Sequence, residues 1–302
     1  MPDGRIAVAG LTKQYKTVRA VDGLSFEVEP GRVTGFLGPN GAGKTTTLRM
    51  LLNLVRPTAG TATIGGLRYA DLPDPVRTVG AVLEASAAHK GRSARNHLRV
   101  ICRAAGLPDR RADEALDMVG LSTAANRKFK GYSLGMKQRL GIAAAMIGDP
   151  RVLILDEPAN GLDPEGIRWM RQLLQALAAE GRTVLVSSHL LSEMEILADD
   201  VIILAAGRLI TQGPVDTVLG SMGGAGRTRV RTPDPAALTA ALGEGAKVTT
   251  DVDGDLWVTG PDAVAVGEAA HRAGVVLHQL TTERPDLEEV FLELTKGKAD
   301  IR

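Results

Sequence analysis

Gly38-Pro39-Asn40-Gly41-Ala42-Gly43-Lys44-Thr45 stands between an apolar run, residues 33–37, and a segment in which Leu48, Leu51, Leu52 and Val55 keep helical spacing. The pattern is G-x-x-x-x-G-K-[ST], with a strand before it and a helix, Lys44 to Val55, after it, as the motif requires. Gly38, Gly41 and Gly43 open backbone conformations closed to residues with a side chain. Successive N–H groups then converge on phosphate oxygens, backed by the positive end of the helix. Lys44 is placed to reach the β- and γ-phosphates and Thr45 to ligate Mg²⁺. Thr46 completes the phosphate-side set.

A triphosphate site also needs a second metal ligand and an activated water. Residues 152–155 form an all-apolar strand that ends in Asp156 and Glu157. Adjacent carboxylates there lie at the sheet's carboxyl edge, where doubly wound folds bind ligands. Asp156 is the candidate for Mg²⁺ through its water shell, since Mg²⁺ releases water reluctantly. Glu157 is the candidate general base.

The chain has 302 residues, 44% hydrophobic and 24% charged, enough for about two domains with real cores. Lys and Arg number 36 against 35 Asp and Glu, and aromatics are 3%. Neither a basic footprint nor a set of stacking platforms points to nucleic acid. The single cysteine, Cys102, can form no internal disulfide and no zinc site alone, and reads as a small core residue. No secretory signal is evident. No apolar run approaches the roughly 18–20 residues that span a bilayer.

Short apolar strands near residues 79–83, 152–155, 183–187 and 201–204 alternate with helices, which predicts an α/β sheet covered on both faces. Residues 5–34 predict an antiparallel β subdomain, and residues 86–148 a helical subdomain with Ser93 as an N-cap. Residues 169–179 read as a helix closed by Gly181. Residues 221–226 have linker composition. Beyond them the order is strand 228–232, helix 235–242, strands 247–252 and 255–259 joined at Asp253-Gly254, helix 263–273 and strand 275–280. That βαββαβ order is the ferredoxin-like arrangement, with Trp257 expected in its core and a last helix at 286–295. The expected domains are 1–220, a linker at 221–226, and an accessory domain at 227–302.

Together these motifs resemble the nucleotide-binding subunits of ABC transporters, a P-loop NTPase fold. Tyr15 precedes the P-loop, where the family sets an aromatic ring against adenine. Tyr132-Ser133-Leu134-Gly135-Met136-Lys137-Gln138-Arg139 holds the signature-motif position. Asn160-Gly161-Leu162-Asp163 is similar to the D-loop, and His189 to the switch histidine. The resemblance implies that Ser133 and Gly135 contact the γ-phosphate held by another subunit, so that ATP and Mg²⁺ lie between two head-to-tail copies or a copy and a paralogous ATPase. Leu134 replaces a glycine of the family's signature, and Glu84 stands where the family has the Q-loop glutamine. Glu84 could still ligate Mg²⁺.

These departures, with residues 133–140 and 287–294, resemble the exporter ATPases of the bacitracin and daunorubicin resistance type. That branch pairs with a separate membrane permease, which implies docking near residues 84–100 and a place on the cytoplasmic face of the membrane. The rival reading is a soluble ABC ATPase outside transport, or a nucleotide-gated regulatory module.

Overall fold

The computed structural model describes residues 3–83, 88–221, 227–243, 245–251, 254–283 and 286–295. Ile6–Tyr15 (β1) and Val18–Val28 (β2) form an antiparallel hairpin whose turn holds Lys16 at φ 50°. Both strands outrun their apolar cores, because backbone pairing continues into Lys13, Gln14 and Arg19. Val33–Leu37 (β3), buried throughout, leads through the glycine loop into Lys44–Leu51 (α1). This helix is shorter than expected. Asn53 takes φ 57°, a left-handed turn that stops the helix before Val55.

Ala59–Ile64 (β4) adds to β1 and completes a sheet in the order β2-β1-β4. Sequence reading missed this strand, since only Ala62 and Ile64 of it are buried. Asp74 caps the short helix Pro75–Thr78 (α2), which runs into Val79–Val82 (β5). The helical part follows as Ala94–Ala104 (α3), Arg110–Met118 (α4) and Leu134–Met146 (α5). Ser93 caps α3, which buries Ala94, Leu98 and Cys102 at helical spacing, so Cys102 is a core residue.

Val152–Asp156 (β6) is followed by Pro164–Ala179 (α6), Thr183–Ser188 (β7) and Leu191–Leu197 (α7). The helix α6 starts more than a turn before Trp169, because Asp163 caps it and Pro164 fits a first turn. Asp200–Ala205 (β8) and Arg208–Pro214 (β9) close the larger unit as a hairpin. The large sheet runs β5-β6-β7-β3-β8-β9, parallel except for the last pair.

The P-loop helix is clamped between the two sheets. Leu48 and Leu51 of α1 share one core with Ile6, Val8 and Leu11 of the small sheet and Phe36, Ile154 and Leu185 of the large one. Phe26 and Phe36 tilt together at 5.3 Å between ring centroids. Burying each such side chain contributes about 1.5–3 kcal/mol. The glycine loop is therefore set on a rigid base.

The chain divides into two compact units, Met1–Pro214 with Thr295–Arg302, and Val215–Leu294. The smaller begins with Val215–Ser221 (α8). It continues through Arg227–Arg231 (β10), Pro235–Leu242 (α9), Lys247–Thr250 (β11), Leu256–Thr259 (β12), Ala263–Arg272 (α10), Gln279–Glu283 (β13) and Leu287–Thr295 (α11). Its strands pair antiparallel in the order β11-β12-β10-β13, over a core of Val230, Leu238, Leu256, Val258 and Val266.

Two expectations for this unit need correction. The last strand is Gln279–Glu283, not 275–280; Val275 and Leu277 pack against the core without joining the sheet, while a polar run pairs with β10. Trp257 is not a core residue. It alternates with the inward Leu256 and Val258, so its ring faces the other way, with the Arg227 guanidinium 4.2 Å from its centre. Residues 222–226 of the expected linker, and Val252 and Asp253 of the expected turn, lie outside the described residues.

Candidate active site

The loop 38–45 is held by its neighbours. Gly43 sits at φ 97°, and a Cβ there would meet the Ala20 side of β2. The Gly207 N–H donates to Ala42 O at 3.2 Å, tying the loop to the β8–β9 turn. Gly38 and Ala42 are buried, whereas Asn40 and Gly41 form the exposed tip with Pro39 half-buried beside them. Thr45 and Thr46 open α1.

Lys44 is only 7% exposed. Its ammonium donates to Gly38 O at 2.6 Å and to Pro39 O at 3.4 Å, and lies 3.7 Å from Glu157 Oε1. Burial pushes its pKa down from the usual lysine value, and the Glu157 and Asp156 carboxylates push back. A charge so placed is poorly solvated and surrounded by acceptors, which suits it to an anionic ligand.

Thr45 Oγ1 donates to Asp156 Oδ2 at 2.7 Å, and Ser187 Oγ donates to the other oxygen, Oδ1. The Glu157 N–H donates to both Ser187 Oγ at 3.0 Å and Ser187 O at 3.2 Å. These bonds hold Glu157 at φ 50°, a left-handed conformation that costs a residue with a side chain roughly 1 kcal/mol or more. Its carboxylate lies between the Lys44 ammonium and the His189 ring. His189 Nδ1 meets Glu157 Oε2 at 2.7 Å. Lys44, Thr45, Asp156, Glu157 and His189 thus form one bonded group across the ends of β3, β6 and β7.

Ser187 was not foreseen. Its signal was a hydroxyl at the end of an apolar strand, at the same sheet edge as Asp156.

The remaining candidates fall into other places. Ser133 is the N-cap of α5, accepting from Met136 N at 3.2 Å. Gly135 lies beside Leu162, and Asp163 caps α6 by accepting from Gly166 N at 2.8 Å. Among the described residues no hydrogen bond or ion pair joins Ser133, Gly135 or Tyr15 to the glycine loop. Tyr15 ends β1 with 44% of its surface exposed and the Lys13 ammonium 4.9 Å from its ring centre. Tyr132 is buried and donates its hydroxyl to Ala124 O at 2.8 Å. Glu84 lies outside the described residues. Among the described residues no cluster of three or more His, Cys, Asp or Glu could hold a metal on its own.

A glycine loop opening a helix, opposite two strand-end carboxylates and a histidine, defines a P-loop nucleoside triphosphatase. The ABC transporter family pattern matches residues 21–160, and a second pattern, a domain of unknown function (DUF8746), matches residues 226–288. The bacitracin transport ATP-binding protein BcrA of Bacillus licheniformis is 44% identical over 214 residues, 70% of each chain. The daunorubicin/doxorubicin resistance ATP-binding protein DrrA of Streptomyces peucetius is 35% identical over 317 residues, spanning 100% of this chain and 95% of that one. A bacterial ABC transporter cassette solved as a dimer superposes with a TM-score of 0.64 at 26% identity, over 70% of this chain and 98% of that chain. The same cassette has been solved in a post-hydrolysis state bound to ADP and Pi, again at TM-score 0.64, with 25% identity and the same coverage. The chain belongs to the ABC transporter ATP-binding proteins and is an ABC ATPase, of the drug- and antibiotic-exporter type. Among the described residues no helix is long and apolar enough to cross a membrane.

Proposed function

We propose that this ATPase is the motor subunit of an exporter: ATP closes a head-to-tail pair of chains, hydrolysis reopens it, and the cycle drives a separate membrane permease at the cytoplasmic face. The observation that carries this reading is the division of the site. Lys44, Thr45, Asp156, Glu157 and His189 gather at one sheet edge, while Ser133 caps a helix elsewhere with its neighbour Leu134 53% exposed. Among the described residues of one chain no hydrogen bond joins Ser133 or Gly135 to the glycine loop. A second copy would bring Ser133 and Gly135 to the γ-phosphate, and only the closed pair makes that contact, so ATP favours closure.

In this reading Lys44 and the amides of residues 40–45 grip the phosphates, and Tyr15 stacks on the base. Asp163 holds the start of α6. Glu157 accepts the proton of the attacking water, and His189 orients the carboxylate through its Nδ1 contact. The donor set suits a hard cation: the Thr45 hydroxyl and Asp156 carboxylate are oxygens 2.7 Å apart, and Glu84 would be a third candidate. Bound there with the nucleotide, Mg²⁺ would neutralise phosphate charge.

A cavity of about 610 Å³ supports permease docking near residues 84–100. Leu52, Leu54, Leu83, His97, Ile101 and Leu140 line it, which suits the apolar face of a short helix. We take the nucleotide-binding domain as 1–220, the linker as 221–226, and the accessory domain, of ferredoxin-like strand order, as 227–302. An amphipathic drug or antibiotic is the cargo class, by analogy with BcrA and DrrA.

Glu157→Gln tests the motor. It should bind ATP as the wild type does, lose hydrolysis by about a hundredfold or more, and accumulate as a pair of chains in gel filtration with ATP. Substantial turnover would remove Glu157 as the base.

A further inference from the structure

The signature segment and the D-loop pack against each other. Gly161 sits at φ 77°, and any side chain there would overlap the isobutyl group of Leu134, the first residue of α5. Alongside, a Cβ at Gly135 would lie 3.5 Å from Leu162 Cδ2, and Gln138 Nε2 donates to Asn160 O at 3.1 Å. The D-loop is otherwise two short turns, Asn160 N to Glu157 O at 3.2 Å and Leu162 N to Ala159 O at 3.0 Å. Leu134 remains 53% exposed, so the core does not require it.

We propose that Leu134 is a positioning residue of the ATPase: seated on the side-chain-free Gly161, it locks residues 160–163 to the start of α5. The lock runs from Ser133 through Leu134 and Gly161 to the turn that begins at Glu157. It therefore fixes the hydrolytic carboxylate against the hydroxyl that the same chain lends to its partner. This rests on the proposed roles of Ser133 and Glu157. A leucine at this position needs a glycine at 161, because the two occupy the same space. Loosening the lock should slow the chemical step and leave the phosphate grip alone, because Leu134 touches neither Lys44 nor Thr45.

The test is steady-state ATPase kinetics on the full chain. Leu134→Ala should lower kcat about tenfold with the KM for ATP changed less than about twofold. Its thermal midpoint should match the wild type, as expected of an exposed site, and Leu134→Met should restore most of kcat. Gly161→Ala should cost more kcat in the wild-type background than in Leu134→Gly, where the overlap is gone and only the left-handed backbone opposes it. Wild-type kcat in Leu134→Ala overturns the proposal. So does a parallel fall in thermal midpoint and ATP affinity, or a pair of substitutions whose effects simply multiply. If Glu157→Gln forms no ATP-held pair, the reading beneath fails. A normal kcat in Leu134→Ala beside an intact ATP-held pair sinks only the role of Leu134.

Discussion

Lys44 meets opposed demands. Folding removes it from water, which disfavours its charge, yet its chemistry depends on that charge. The backbone carbonyls of Gly38 and Pro39 and the nearby Glu157 carboxylate offset the burial. Lys44→Ala should weaken ATP binding by about a hundredfold or more, from two charge-assisted bonds at roughly 1.5–3 kcal/mol each. Calorimetric titration checks this, and unchanged affinity would refute the phosphate cradle. At this scale most of the site was legible: Lys44, Thr45, Asp156, Glu157 and His189 were each marked by a motif, and the structure joins them. Ser187 was not, because a serine ending a strand has no pattern of its own. Neither was the fit of Leu134 on Gly161, which depends on two loops meeting from distant parts of the chain.

Among the elements, buried strands and capped helices were readable, since apolar runs and Ser93, Ser133 and Gly181 carry local signals. Strands paired at a surface were not. Gln279–Glu283 and the outer half of β1 are held by ladder bonds to a neighbour and have little apolar content to announce them. Trp257 shows the same limit, because the face a residue takes depends on register.

The helix α3 carries a pH dependence. His97 is partly buried in it, its Nδ1 has no hydrogen-bond partner among the described residues, and burial first, then Arg92, lower its pKa below the usual 6.5. With a depressed folded pKa, the neutral form is the one folding favours. Stability is complete above 6.5 and is lost as pH falls below it toward the folded value, at up to about 1.4 kcal/mol per pH unit. Urea unfolding at pH 7.5 and 5.5 should show a larger loss for the wild type than for His97→Leu; equal losses would clear His97.

At the scale of the molecule, the smaller unit has its own sheet and core, and an internal ion cluster. Asp255, 2% exposed, accepts from Arg231 and Arg229, whose guanidiniums hold its carboxyl below the usual range. Every residue assigned to phosphate and metal lies in the larger unit. Deleting residues 227–302 should therefore leave ATP affinity within about threefold of the full chain, a difference under about 0.7 kcal/mol. Loss of binding would move the boundary.

The strands that bear the phosphate grip and the carboxylates, β3 and β6, are not neighbours; β7 runs between them. Two inter-strand spacings, about 9.6 Å together, therefore gauge the distance between their main chains, which the Thr45–Asp156 hydrogen bond of 2.7 Å bridges through side chains. That gauge is made of main-chain ladder bonds and is the same whatever side chains evolve around it. Surface side chains can vary freely on such a chassis while the spacing of the two strands stays constant.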